Sequence, residues 1–595
     1  MKKIISMLLF AAGLVSCEDY LTKEDPNKID APTYFRSETD LAAYANGFLQ
    51  TMIPTATSVA TGDANSDYMA WRGEYLYLTD NYDADDQSGW AISNWDDLRN
   101  INYFLDNFRR AAASETMLGH YEGVARFWRA YFYWNKVKTF GAVPWYGTTI
   151  DSADRDALYK PRDSREYVMR RVLEDLDYAC AHCITGTALE VNSVQITRYT
   201  ALALKARICL YEGTYRKYHA TDPSTGAAWT ADESAVYLRA AVDACSQLME
   251  SGRFSLVSDP ADVATQYRRL FTSQEVATSE VIWARAYSAD LNAVHNLNCY
   301  FIVQQYGSYS LTKQFVNTYL NLDGTRFTDR PGYDKIAFAD EFDNRDWRLA
   351  QSVRHPGYTR KNNGADTRYA PDFGYCVTGY QPIKWVIDDT GYDSNTSPCY
   401  NSIPIIRYAE ILLAYAEAKC ELGEFDEAVW NATIRPLRER AGVKGAMPET
   451  ADPYMAEYFL GTVTDMALLE IRRERGIELL LENVRWDDDM RWGMGRLLER
   501  EWYGVYVGEL DKVYDMDGDG KGDVCFVEQT PNKPEAGVSY RVLGDDFALA
   551  DGRSGYIRCY IRMTRKWDDK KYVRPIPTTA LNDNPALGQN PGWEK

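Results

Sequence analysis

The chain has 595 residues, 86 acidic against 66 basic side chains, a formal charge of -20, and 44 Tyr with 16 Trp. So acidic a surface repels nucleic acid and anionic lipid, no Lys/Arg cluster offsets it, and neither is expected as a partner. The length supplies a large core or two subdomains. Beyond the leader no stretch suits a bilayer span; the best, 403–422, carries Arg407, Glu410, Glu417, Lys419 and Glu421.

The leader comes first in the chain. Met1-Lys2-Lys3 is a basic start, 4–15 is nearly all apolar, and Leu14-Val15-Ser16-Cys17 closes the run. This order predicts a secretory signal over 1–16 ending in a lipobox. The Cys17 thiol then takes a diacylglycerol, and several acyl chains on one residue give a stable anchor. Loss of Lys2 and Lys3 with the leader moves the charge from -20 to about -22.

Residues 62–95 lack periodicity and are rich in Gly, Asp and Tyr, as are 326–404; loops this long are functional or built on short strands. A sugar ring offers C–H groups on one face and hydroxyls at its rim, so its site wants an aromatic plane flanked by amides or charges. Trp71, Asn81 and Trp90 in the first loop fit that chemistry. Gln305 and Tyr306, in the polar-aromatic stretch 300–309, fit it too. Trp71, Trp90 and Tyr306 are the expected stacking rings, with Asn81 and Gln305 as hydrogen-bond partners.

Several segments read as amphipathic helices. A helix over 167–183 carries Cys180 and Cys183, a C-x-x-C outside any βαβ context and best read as two part-buried thiols. In 198–213, Tyr199, Ala203, Ala206 and Leu210 recur at helical spacing, and 235–252 supplies a partner helix. In 405–422 the apolar positions alternate by three and four, Gly423 ends the helix, and Phe425 and Ala428 open the next. Such paired helices point to a tetratricopeptide-like scaffold. Pro436 is expected to kink or break the second helix. The triplet Asp487-Asp488-Asp489 reads as a solvated face, and 505–577 mixes Gly turns with short strands such as one within 555–563.

Asp515, Asp517, Asp519 and Asp523 alternate with Gly, the pattern of a Ca²⁺ loop, with Lys521 offering a carbonyl. Position twelve is Phe526 instead of Glu, and no flanking helix is evident, so the loop is not a standard EF-hand; an acidic, solvated turn is the alternative. Enzyme signatures are absent. The five His (120, 182, 219, 295, 355) show no zinc spacing, no G-x-S-x-G occurs, and Gly493-Met-Gly495 lacks a third Gly. No catalytic activity is expected.

Blocks distributed along the chain carry a family resemblance. They are Cys17-Glu-Asp-Tyr-Leu, Arg129-Ala-Tyr-Phe-Tyr-Trp-Asn-Lys-Val-Lys-Thr-Phe-Gly-Ala-Val-Pro144, and Ile403 to Leu413. Ile471-Arg-Arg-Glu-Arg-Gly-Ile-Glu-Leu479, Arg491-Trp-Gly493, Pro575-Ile-Pro577 and Gln589-Asn-Pro-Gly-Trp593 continue the series. Together they resemble the SusD/RagB lipoproteins, and Glu18-Asp19 is similar to the surface-export signal of Bacteroidota lipoproteins. The resemblance implies a mainly α fold: a tetratricopeptide-like helical-hairpin scaffold with long irregular loops and a few short strands. It also implies an N-terminal part over 17–255 and a C-terminal part over 256–595. Its implied role is glycan binding at the outer membrane, facing the exterior, in company with a SusC-like TonB-dependent transporter. A peptide-binding version of the same arrangement, a lipid-anchored glycoside hydrolase and a pure assembly scaffold are the alternatives.

Overall fold

The helices begin where the sequence supplies a cap. Ser37, Ser114, Ser164 and Thr197 each accept a backbone N–H from the first turn of the helix that follows, satisfying donors that otherwise have no partner. The computed structural model describes residues 34–185, 193–231, 233–444 and 446–594; the leader, Cys17 and the Glu18-Asp19 pair lie outside them. The principal helices are α1 (Glu38–Met52), α2 (Asp96–Asn107), α3 (Glu115–Phe140), α4 (Arg165–His182), α5 (Arg198–Tyr218), α6 (Ser234–Glu250) and α7 (Tyr408–Glu421). They continue with α8 (Glu427–Ala432), α9 (Ile434–Arg440), α10 (Met466–Glu478) and α11 (Arg485–Arg491). Helix α3 packs on α4, α4 on α5, α5 on α6, α6 on α7, and α7 on α10. The fold is mainly α and tetratricopeptide-like, as expected.

Small residues set these contacts. Ala203, Ala206, Ala241, Ala244, Ala409 and Ala416 are all buried. Gly213 does not end α5. A Cβ there would lie 2.8 Å from Leu238 Cγ, so the glycine is the point where α6 crosses closely, and the helix continues to Tyr218. Gly423 does end α7: its φ is +73°, and the N–H groups of Gly423 and Glu424 return to the carbonyls of Cys420 and Lys419. The α8–α9 pair breaks at Thr433, and Pro436 sits in the first turn of α9, where a missing N–H costs nothing.

The start of α7 is a correction. Residues 403–407 form a strand, β6 (Ile403–Arg407), not the first turn of the helix. It pairs antiparallel with β2 (Val281–Arg285). Ile403, Ile405 and Ile406 are β-branched and every residue of β6 is buried, an environment a strand fills better than a helix end. In the C-terminal part, β7 (Trp502–Val507), β11 (Phe547–Leu549) and β12 (Gly555–Cys559) form one sheet in the order β11-β12-β7. There β8 (Val513–Tyr514), β9 (Val524–Val527) and β10 (Ser539–Val542) form another in the order β10-β9-β8.

Charge patterning misleads most in α10. Every residue from Ala467 to Glu478 is buried, six of them charged. Glu478 accepts from Arg348 at 2.9 Å, from Arg407 at 2.9 Å and from Arg440. Glu474 meets Arg348 and Arg438, Glu470 meets Arg438, and Arg475 donates to Asp488 at 2.7 Å. Burial alone would raise the Glu478 carboxyl; the attraction of Arg440, Arg407 and Arg348 outweighs it and holds the group far below the carboxylate range. Arg472 is held differently. Its guanidinium forms no hydrogen bond and lies among the rings of Trp492, Tyr218 and Phe459, at 4.3, 5.2 and 5.5 Å. The solvated reading of Asp487-Asp488-Asp489 fails for the same reason: Asp488 and Asp489 are buried against Arg475, Arg491 and Arg485, and Asp487 pairs with Lys138.

Candidate functional site

Two loops far apart in sequence meet through four residues. Strand β1 (Met69–Ala70) pairs antiparallel with β3 (Ser310–Leu311), in the register Met69↔Leu311 and Ala70↔Ser310. One step beyond the pair, the Arg72 N–H donates to the Gly307 carbonyl at 3.1 Å. This places Trp71 against Tyr309, with ring centroids 6.3 Å apart and planes at 35°. Tyr300 and Tyr306 form a second ring pair at 5.1 Å. The Tyr375 hydroxyl ties the segment down: it donates to the Tyr300 carbonyl and accepts from the Tyr309 N–H at 3.3 Å. Trp71, Tyr300, Tyr306 and Tyr309 are all partly exposed, and Gln304 and Gln305 are exposed beside them.

Glycine makes room for both rings. A Cβ on Gly73 would lie 2.0 Å from Trp71 Cζ3, so the indole folds back across bare backbone. Gly307 has φ +124°, and a Cβ there would stand 2.7 Å from Tyr309 Cζ. Behind Trp71 a hollow is lined by Asn65, Ser66, Tyr75, Trp502 and Arg565.

Trp90 belongs to another place. It packs edge-to-face on Trp95 at 5.5 Å and Phe140 at 4.9 Å. With Trp95, Tyr146, Tyr159 and Asn584 it lines a cleft of about 570 Å³, at whose mouth Ile92 is 89% exposed. The structure therefore brings Trp71 beside the segment that carries Gln305 and Tyr306 and sets Trp90 apart. Asn81 is exposed, bonded through its N–H to Thr79 Oγ1 at 3.2 Å, and lines neither hollow.

The acidic loop links β8 to β9, which are antiparallel neighbours, so strands flank it on both sides. Asp515, Asp517 and Asp523 each offer an oxygen, all within 4.8 Å of one another. Burial raises the carboxyl pKa of Asp517 and Asp523, and the neighbouring carboxylates, Asp523 first for Asp517, add to it. Asp519 turns away: its carboxylate accepts the Lys521 ammonium at 2.9 Å and the Lys521 N–H at 2.8 Å. Asp515, Asp517 and Asp523 suit a hard cation, whereas the Asp519 carboxylate is paired with the Lys521 ammonium.

Comparison with known proteins gives a family. The SusD family model matches residues 279–593. The chain belongs to the SusD family. A second model, described as starch-binding associating with outer membrane, matches residues 19–210. SusD-like protein P2 of Formosa agariphila is 24% identical over 526 residues, covering 83% of this chain and 92% of that protein. A SusD-like protein of Bacteroides fragilis superposes with a TM-score of 0.67 at 20% identity, over 94% of this chain and 98% of its own. A SusD-like carbohydrate binding protein of the same species gives 0.66 at 20%, over 93% and 100%.

In this SusD-family chain the sequence blocks serve the scaffold. Arg129 forms a fork on Asp175, at 2.7 and 2.8 Å, and Glu417 receives Arg491 and the Trp492 indole N–H. Asn590 donates to the carbonyls of Phe140 and Arg574. None of these is on the aromatic face. Sequence reasoning missed Tyr375, Trp502 and Arg565, which reach the face from the chain's second half and carry no local pattern of their own.

Proposed function

We propose that this SusD-family protein is held on the outer membrane by lipid on Cys17, binds glycan on the Trp71–Tyr309 face, and hands it to a SusC-like TonB-dependent transporter. Family membership, with the starch-binding, outer-membrane model over residues 19–210, supports glycan binding at that membrane. Among the described residues no helix is long and apolar enough to cross a bilayer, which fits an anchor made of lipid. The observation that carries the site is the β1–β3 pairing. It sets Trp71 against Tyr309, in the segment that also carries the Tyr300–Tyr306 ring pair and two exposed glutamines, and such a mix of planes and amides is what a sugar ring needs.

The test is a glycan array with the soluble protein lacking residues 1–17, followed by calorimetry on the best ligand. Trp71→Ala and Tyr306→Ala should each weaken binding about tenfold, on the order of 1–2 kcal/mol, with unchanged melting temperature. Trp90→Ala should retain wild-type affinity. Selective capture of peptides would favour the peptide-binding alternative, and release of reducing ends would favour a hydrolase. We also propose a structural Ca²⁺ held by Asp515, Asp517 and Asp523; the convergence of their oxygens supports it.

A further inference from the structure

Buried arginines in this fold commonly meet a carboxylate, as Arg165 meets Glu212 and Arg485 meets Asp67. Arg565 has none within 4 Å among the described residues. Its Nη2 donates to the Arg500 carbonyl, and its guanidinium lies over the Trp502 ring, 3.6 Å from the centroid. Nε and Nη1 are shielded from solvent and have no hydrogen-bond partner, which leaves three N–H donors unused. Burial pulls the pKa of this guanidinium down to about 10, and the charge of nearby Glu501 offsets only part of the loss. A shielded cation with no carboxylate in contact is costly, and the cost is relieved by an anion.

Of the hollows beside Arg565, the larger has the room for such an anion. Arg565 stands between two hollows. One, with room for about one water, is shared with Trp71, Asn65 and Ser66. The other, about 200 Å³, is shared with Tyr560, Arg558, Glu499 and Glu501. Both glutamates are already occupied. Glu501 takes the Arg558 fork at 2.7 and 3.0 Å, and Glu499 accepts the Trp567 N–H at 2.7 Å. Arg72 follows Trp71, which lines the smaller hollow together with Arg565. Burial raises the Tyr560 hydroxyl pKa, and the charges of Arg72 and Arg541 act against that rise. Arg541 has an unpaired Nε of its own, and Arg72 is exposed.

We propose that the ligand of the aromatic face is an acidic saccharide, whose carboxylate or sulfate group pairs with Arg565, with Arg72 as the neighbouring cation. This rests on the glycan-binding reading above and specifies its substrate class. The net charge of -20 gives no long-range attraction for such a ligand. Selectivity therefore comes from short-range pairing inside a shielded pocket, where charge-assisted hydrogen bonds are strongest.

The experiment uses the soluble protein and an array holding uronate-bearing, sulfated and neutral oligosaccharides, with the uronate set present before and after carboxyl reduction. The two acidic arms tell carboxylate from sulfate. Acidic members should bind about tenfold or more tightly than their reduced or unsulfated counterparts. Arg565→Gln should erase that preference. Arg72→Gln, at an exposed position where folding is not at stake, should reduce it severalfold. Equal affinity for acidic and reduced forms, or a preference untouched by both substitutions, overturns the proposal. Binding of neutral glycans only would overturn it while leaving the glycan reading standing. A wild-type protein that binds no saccharide of any kind overturns both.

Discussion

Gly73 and Glu478 show how one residue decides what its surroundings can do. The Trp71 indole lies where a Cβ on Gly73 would stand, 2.0 Å from Cζ3. Gly73→Ala must therefore swing the ring off its seat, and ligand affinity should fall about tenfold, as for loss of the ring itself. Calorimetry with a bound glycan checks this; wild-type affinity would mean the indole does not stack on ligand. Glu478 joins Arg348, Arg407 and Arg440 in a site with no water access. Glu478→Gln should cost about 3–5 kcal/mol, because it leaves buried cations undercompensated, measurable by urea unfolding. The same carboxylate sets a pH limit. Its folded pKa is depressed below the ordinary 4.5 by the three arginines acting against burial, and Glu470 and Glu482 shift the same way. Their stabilisation is complete above about pH 4.5 and is lost as pH falls through the folded values. Melting temperature should drop steeply below that point and recover on return. Among residues, the sequence made Trp71, Gln305 and Tyr306 visible because they stand outside any helical stripe. Arg565 was invisible, since its meaning lies in the carboxylate it lacks.

At the scale of elements, the helical hairpins were legible because their buried stripes are alanine and leucine at three-and-four spacing, as in α5 and α7. Two elements were not. Strand β6 continues an apolar run into a helix, and only its pairing partner β2, more than a hundred residues earlier, makes it a strand. Helix α10 looks like a water-facing helix because its charges find partners on α9, α11 and residues 346–348, which no local pattern records. The β8–β9 loop reads from sequence as a candidate cation loop, and its geometry narrows the proposed ligands to Asp515, Asp517 and Asp523. Asp517→Ala with Asp523→Ala should abolish any calcium-dependent rise in melting temperature, whereas Asp519→Ala should not. Thermal melts with calcium and with chelator check this; a wild-type protein indifferent to both, and free of bound metal, would remove the calcium reading.

For the molecule as a whole, the proposed anchor and partner can be tested together. Cys17→Ala should prevent lipidation, release the protein from outer-membrane fractions, and lower its recovery with a TonB-dependent transporter in gentle detergent. Intact-mass analysis of the mature wild type, showing an unmodified Cys17, would contradict the anchor. Recovery of the protein alone after crosslinking would contradict the partnership. The two-residue pairing of β1 with β3 also has a consequence in time. Its strands are about 240 residues apart, so at synthesis rates of about 5–20 residues per second the first is made roughly 12–48 s before the second exists. For that interval Trp71 lacks its partner Tyr309, and neither half of the chain alone holds a complete face. If ligand binds the proposed face, competence arrives late and all at once, and a truncated product should fail to bind glycan.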